Sequence, residues 1–270
     1  MKKIIKEFIP PIILKLLKKI SGREYGFYGD FQTWEDASRL SAGYDSDAII
    51  DKVKDSLLKV RDGKAAYERD SVLFDRIEYS WPLLAGLMMA ASENNNKLNV
   101  LDFGGSLGST FFQNRKFLNC VSKVKWNIVE QKKIVEYGKK YFANESLNFF
   151  FNIDECFGQA PDINVIVLSS VIQYIEKPYE LLNNLLEKNV KCVIIDRTPF
   201  IKTGKDRIAV QKIQPEIYGG YLPARLLSKD LFTRFFSKKY DLFEEFQCND
   251  NTNKDYEIQG LIFKLKNIKK

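Results

Sequence analysis

Histidine is absent from all 270 residues. With it go the Ser-His and Cys-His nucleophilic pairs, the usual proton shuttle near neutral pH and most zinc sites. Any general base is then a carboxylate, a lysine, a tyrosine or water. Cysteine is scarce: Cys120, Cys156, Cys192 and Cys248 lie far apart with no C-x-x-C pair, which reads as free thiols in a reducing compartment. No apolar run approaches the roughly 20 residues that span a bilayer. No small-residue cleavage site follows the first lysines, and there is no repeat or low-complexity tract.

A basic body is lacking too. The net charge is +7, but residues 1–20 hold six lysines against one glutamate, and residues 261–270 hold four lysines and no acid. That leaves residues 21–260 at −2, so nucleic acid is not an expected partner. The composition, 45% hydrophobic and 29% charged, is that of a globular chain, long enough for one α/β domain with additions or two small domains.

What is present is organised around residues 98–108, LNVLDFGGSLG. A short apolar strand ends in an acid, runs into a glycine-rich turn and opens a helix. Glycines let backbone approach a ligand closely, and the N–H groups that begin a helix favour negative charge. The dinucleotide fingerprint G-x-G-x-x-G fits in neither register: its glycines fall on Phe103 in one, and on Ser106 and Ser109 in the other. Asp102, Gly104, Gly105, Ser106 and Gly108 instead resemble motif I of class I S-adenosylmethionine (SAM)-dependent methyltransferases, with Ser106 in place of the family's middle glycine. The next apolar strand, in 125–131, ends at Glu130-Gln131. A carboxylate there is placed to accept from both hydroxyls of a ribose; the alternative for Glu130 alone is a solvated strand-end acid, and with Asp102 and the glycines the cofactor reading is favoured.

The spacing predicts a βαβ series: strands over 98–103, 124–129, 147–153, 162–170 and 190–196, and helices over 107–119, 132–142 and 178–188. Residues 228–237 read as a helix, and 240–246 with 256–265 as two strands separated by a polar loop too short for a crossover helix. They should therefore form an antiparallel hairpin. Five parallel strands and a terminal hairpin make the Rossmann-like, seven-stranded class I methyltransferase sheet, whereas a dehydrogenase would continue βαβ. Ahead of it, residues 1–96 are expected to be a helical accessory region. They comprise an aromatic, glycine-containing loop at 21–46, a helix over 47–60 and a helical run over 71–92 broken near Trp81-Pro82. Residues 97–270 form the cofactor-binding domain, with an insertion at 197–227.

In residues 1–20, Ile12, Ile13, Leu16, Leu17 and Ile20 recur at helical spacing opposite Lys15, Lys18 and Lys19. This segment either lies on a membrane surface as a basic amphipathic helix or packs against the body.

The resemblance extends further. Trp34-Glu-Asp-Ala, Ser41-Ala-Gly-Tyr44, Tyr67-Glu-Arg-Asp-Ser-Val-Leu-Phe74, Tyr79-Ser-Trp-Pro82, the glycine turn, Trp126-Asn-Ile-Val-Glu-Gln131, Ser169-Ser-Val-Ile-Gln-Tyr174 and Asp196-Arg-Thr-Pro199 together look like a bacterial methyltransferase family met near genes for surface polysaccharide synthesis. That family's acceptor is unassigned. The resemblance implies methyl transfer to a small-molecule acceptor, with a hint of a sugar or glycolipid, in the cytoplasm or at the inner membrane surface.

The expected cofactor site is Asp102, Gly104, Gly105, Ser106, Gly108, Glu130, Gln131, Asp154 and Ser170. Asp154 either meets the adenine amino group or is a turn aspartate. The acceptor belongs beyond the carboxyl ends of the strands, near Ser170, Gln173, Tyr174, Asp196 and Arg197. Asp196 is the first candidate base; the alternatives are that it orients an amine, or is a strand-end acid paired with Arg197. Arg207 and Arg225 in the insertion suit phosphate or carboxylate on the acceptor, or salt bridges to the N-terminal region. No metal is expected. A nicotinamide-dependent oxidoreductase and a non-catalytic SAM-binding scaffold are the competing readings.

Overall fold

Residues 98 and 100–102 are all buried, the pattern of a parallel strand covered on both faces, and this strand sits centrally in the sheet. The computed structural model describes residues 25–40, 47–214, 217, 219–248, 250 and 255–267. Before the central strand come β1 (Gly26–Phe31), α1 (Trp34–Arg39), α2 (Asp47–Arg61), β2 (Tyr67–Arg69), β3 (Val72–Phe74) and α3 (Trp81–Ser92). The βα series follows: β4 (Lys97–Phe103), α4 (Ser109–Leu118), β5 (Lys123–Val129), α5 (Lys132–Tyr141), β6 (Leu147–Phe150), α6 (Ile153–Gln159), β7 (Val165–Ser169), α7 (Pro178–Glu187) and β8 (Cys192–Ile201). The chain continues through β9 (Arg207–Lys212), β10 (Tyr221–Ser228), α8 (Lys229–Ser237), β11 (Tyr240–Gln247) and β12 (Glu257–Leu265).

Strands β6, β5, β4, β7 and β8 are parallel neighbours in that order. β12 then pairs antiparallel with β8, and β11 with β12. Counted from β4, the order is third, second, first, fourth, fifth, seventh, sixth, with the seventh reversed. This is the class I methyltransferase sheet. Successive residues of β7 serve opposite faces: Val165 and Val167 pack with Leu83, Leu87 and Trp126, and Ile166 and Leu168 with Leu182, Phe232 and Leu261. Both faces of the sheet are thus closed by helices.

Several elements depart from the sequence reading. β2 and β3 form a hairpin where a helical run was expected; only 81–92 is helical, with Pro82 in the first turn, where its missing N–H costs nothing. The aromatic stretch after residue 25 supplies a strand, β1. The insertion 197–227 is also strand: β8 runs on to Ile201, and β9 and β10 with β1 form an antiparallel flap. This flap joins β8 through Leu227 and Ser228, beside Phe200 and Ile201, beyond the residues that pair with β7. β6 ends at Phe150, not at 153, because Asn152 caps a new helix by accepting from the Glu155 N–H at 2.8 Å. Among the described residues no helix is long and apolar enough to cross a membrane. The amphipathic segment 1–20 and the loop 41–46 lie outside the described residues.

Candidate functional site

A cavity of about 930 Å³ opens over the carboxyl ends of β4, β5, β7 and β8. β4 is where the strand order reverses, so this is the crevice an open α/β sheet offers to ligands. Its volume is at the upper end of the range for ligand pockets, enough to seat two molecules side by side.

One side is built by the turn after β4. Gly104 (φ +70°), Ser106 (φ +53°) and Gly108 (φ +107°) alternate left-handed conformations with ordinary ones, which winds the chain tightly before α4 starts. A Cβ on Gly104 would sit 2.2 Å from Val171 Cγ2, and one on Gly105 would sit 2.5 Å from the Asp102 carboxylate. Asp102 is 1% exposed; its Oδ2 accepts from the Trp126 indole N–H at 2.9 Å, while Oδ1 has no partner. Burial pushes its pKa up to about 7. At the tip of β5, Glu130 lines the cavity and accepts from the Ser106 N–H at 3.3 Å and the Gln131 N–H at 2.7 Å. Burial raises its pKa. Each of its oxygens keeps a lone pair for a ligand hydroxyl. Gln131 occupies the N-cap position of α5 without a side-chain capping bond and lines the cavity beside it.

Asp154 stands apart from this group. It falls in the first turn of α6, at the cavity rim, with its side chain 78% exposed and 2.7 Å from Lys188 Nζ. Phe151, Asn152 and Ile153 line the wall ahead of it.

The other side gathers around Asp196. The sequence suggested that β8 ends there, and the structure shows a β-bulge: Gln259 pairs with Thr198 and Leu261 with Ile195, so Asp196 and Arg197 together oppose Gly260. Arg197 takes the left-handed conformation, φ +51°. Bulges of this kind bend a strand and re-aim its side chains. Asp196, 2% exposed and lining the cavity, accepts from Ser169 Oγ at 2.9 Å, Ser80 Oγ at 3.2 Å and Cys248 Sγ at 3.6 Å. Burial raises its pKa and pushes the Cys248 thiol up. Ser170 donates its N–H to the Asp196 carbonyl at 2.9 Å, and its hydroxyl accepts from Gln173 Nε2 at 3.1 Å. Tyr174 donates to Gln211 Oε1 on β9, and burial pushes its pKa up to about 12.

Arg197 does not pair with Asp196. It reaches Asp250 at 3.1 Å and Asp70 at 3.4 Å, tying the β2–β3 turn to the segment after β11. Arg197→Met should therefore strand two carboxylates and cost about 2 kcal/mol, lowering the thermal midpoint by about 4–8 °C. An unchanged melting curve would deny the clasp.

Sequence reading missed Glu68. It lies on β2, 1% exposed, accepting from the Ser71 N–H and from Ser109 Oγ, both at 2.6 Å; burial pushes its pKa up to about 7. Its neighbours Tyr67, Arg69 and Asp70 also line the cavity, as do Tyr79, Ser80 and Trp81. The motifs Tyr67–Phe74 and Tyr79–Pro82 marked these residues, but the turn that brings them to the site is an Asp70-Ser71 pair with both φ positive. Such a turn is ordinarily signalled by Asn-Gly or Asp-Gly. Among the described residues no group of three or more Cys, Asp or Glu side chains is placed to hold a metal ion.

The strand order defines the class of fold as the class I methyltransferase sheet. No protein-family model matches the sequence, and no curated protein matches it. Solved structures are similar at low identity. The N-terminal domain of EvdMO1, crystallised in the presence of S-adenosylhomocysteine (SAH) and D-fucose, covers 82% of this chain and 98% of its own at 10% identity and TM-score 0.46. A SAM-dependent methyltransferase from Clostridium acetobutylicum covers 70% and 93% at 12% identity and TM-score 0.44. The glycopeptide N-methyltransferase MtfA, complexed with SAM, covers 67% and 94% at 13% identity and TM-score 0.44. These are distant similarities, and the fold class stands on this chain's own strand order.

Proposed function

We propose that the chain is a SAM-dependent methyltransferase acting on a small or glycosyl-linked acceptor, with surface polysaccharide synthesis at the cytoplasmic side of the membrane as its setting. The observation that carries this reading is Glu130. A carboxylate at the tip of the strand next to the glycine turn, opening on the cavity with lone pairs unused, is built to take a pair of ribose hydroxyls. Asp102 adds a buried acceptor without a partner, Oδ1, and a buried acceptor is costly to leave unmet. The terminal hairpin speaks against a nicotinamide-dependent oxidoreductase, which would be expected to continue βαβ.

In this reading Glu130 holds the ribose, the turn Gly104–Gly108 gives its backbone N–H groups to the remainder of the nucleoside donor, and Asn152 and Ile153 border the adenine. SAM supplies an electrophilic methyl group on a sulfonium sulfur. The chain's own work is placement: the hairpin β2–β3, the flap β1–β9–β10 and the clasp Arg197 enclose the acceptor against that group, and positioning of this kind can supply several kcal/mol of the barrier. Asp196 is set to take a proton from the acceptor, and burial raises its pKa above the ordinary carboxylate value, which makes it a stronger base.

Calorimetric titration with SAM, SAH and NADH tests the reading. Both adenosyl ligands should bind and NADH should not, and Glu130→Ala should weaken SAH at least tenfold. Binding of NADH alone would overturn the reading. SAH binding without turnover on any acceptor would favour a scaffold.

A further inference from the structure

Asp196 and Glu68 are both about as buried as a side chain becomes, at 2% and 1% exposed. Both line the cavity. Neither has an ion-pair partner among the described residues; their contacts are hydroxyls, a thiol and a backbone N–H. A buried carboxyl without an ion-pair partner either stays protonated or takes a cation when one arrives, and both of these open on the cavity, where a ligand can supply it.

The cavity's cations do not fill that role. No lysine lines it. Arg197 is held by Asp70 and Asp250, and Arg69 faces Glu78 at 3.7 Å. Arg207 and Arg225, which the sequence offered as phosphate ligands, do not line the cavity. Arg225 instead lies over the Trp34 ring at 6.0 Å and donates to the Glu176 carbonyl at 2.8 Å. On the acceptor side the carboxylates therefore outnumber the arginines among the described lining residues, five to two. A phosphate or carboxylate there would meet excess negative charge, with no lining cation among the described residues free to answer it.

We infer that the acceptor is an amine, bound as an ammonium between Asp196 and Glu68 and N-methylated. The inference rests on the methyltransferase reading and narrows its substrate class. Aromatic rings suit the same ligand: Tyr67, Tyr174 and the Tyr79–Trp81 pair, 4.8 Å apart, line the same cavity, and ring faces attract cations. The ammonium passes one proton to the Asp196 carboxylate, which frees the nitrogen lone pair. The N–C bond then forms as the methyl–sulfur bond breaks, with its electron pair left on sulfur. The product leaves as a methylated ammonium, and Asp196 returns its proton to solvent.

Three probes of one shape and different charge test this: benzylamine, benzyl alcohol and benzyl phosphate, titrated at pH 7.5 into the full chain saturated with SAH. Binding is read by calorimetry and by quenching of Trp34 and Trp81, which line the cavity. Benzylamine should bind at least tenfold tighter than benzyl alcohol, and benzyl phosphate should not bind. Asp196→Asn and Glu68→Gln should each cut the amine preference several-fold while SAH affinity holds. Equal binding of amine and alcohol, a preference for the phosphate, binding of none of the three with SAH in place, or a preference untouched in both variants would overturn the inference. Loss of SAH binding with the amine preference intact would instead sink the methyltransferase reading and leave the amine site standing.

Discussion

Asp196→Asn should lower methyl transfer by about 10²–10⁴-fold, the usual contribution of a positioned general base, while SAH binds as before and the thermal midpoint does not fall. The split follows from the surroundings of Asp196. Its carboxylate takes hydrogen bonds from Ser80, Ser169 and Cys248, and the amide oxygen of asparagine keeps one side of that set. The substitution also removes a buried charge that has no ion-pair partner among the described residues, so stability is not expected to suffer. What asparagine cannot do is accept a proton. An amine acceptor adds a pH signature: wild-type turnover should rise with pH as Asp196 ionises, and the variant should lose that limb and follow only deprotonation of the free amine. SAH formation across pH 5.5–9 is the measurement. A variant within threefold of wild type would make Asp196 a structural acid that merely carries the bulge in β8.

The elements legible in the sequence were those whose local chemistry and tertiary role agree. β4 is apolar on both faces and ends in glycines, so strand, turn and α4 announce themselves together, and the polar loop between β11 and β12 is too short for anything but a hairpin. The flap was harder. In β10, Leu222, Ala224 and Leu226 alternate with Tyr221, Pro223 and Arg225 as a strand should, yet a proline inside the run argues against a strand. The structure tolerates Pro223 in a pair with Val210, near the end of the flap. Asp154 was expected at the end of a strand over 147–153, whereas the Asn152 cap ends β6 at Phe150 and puts Asp154 in the first turn of α6, at the cavity rim. The burial of Glu68 was invisible for a different reason: its partners Ser109 and the Ser71 N–H belong to a helix start and to a turn whose residues carry no glycine. The proposed acceptor site lies where local sequence signals are weakest, at a disguised turn and a bulge, and the proposed cofactor site where they are strongest, at the glycine turn after β4.

Glu68 makes the stability of the folded chain pH-dependent in a direction opposite to that of most carboxylates. Its pKa rises from 4.5 to about 7 on folding because burial disfavours the charged form. Between those two values the unfolded chain has released a proton that the folded chain still holds, so stability falls as pH rises. The favourable contribution is complete below 4.5 and gone above about 7, a change of about 3 kcal/mol. Asp102, raised from 3.8 to about 7 by the same cause, acts in the same direction, so wild type should be visibly less stable at pH 8 than at pH 5. Glu68→Gln keeps an oxygen for the Ser71 N–H and an amide for Ser109 Oγ, removes the charge and leaves Asp102 in place. The difference between the two denaturation curves therefore isolates Glu68: Gln should gain on wild type steadily from pH 5 to 7.5 and hold its advantage above. A bound cation must reduce that advantage, because it stabilises the ionised carboxylate in the folded state alone. Saturating benzylamine should accordingly raise wild-type stability at pH 8 by more than it raises that of Glu68→Gln. Parallel curves for the two proteins, with and without the amine, would mean that Glu68 is ionised and already satisfied in the free chain.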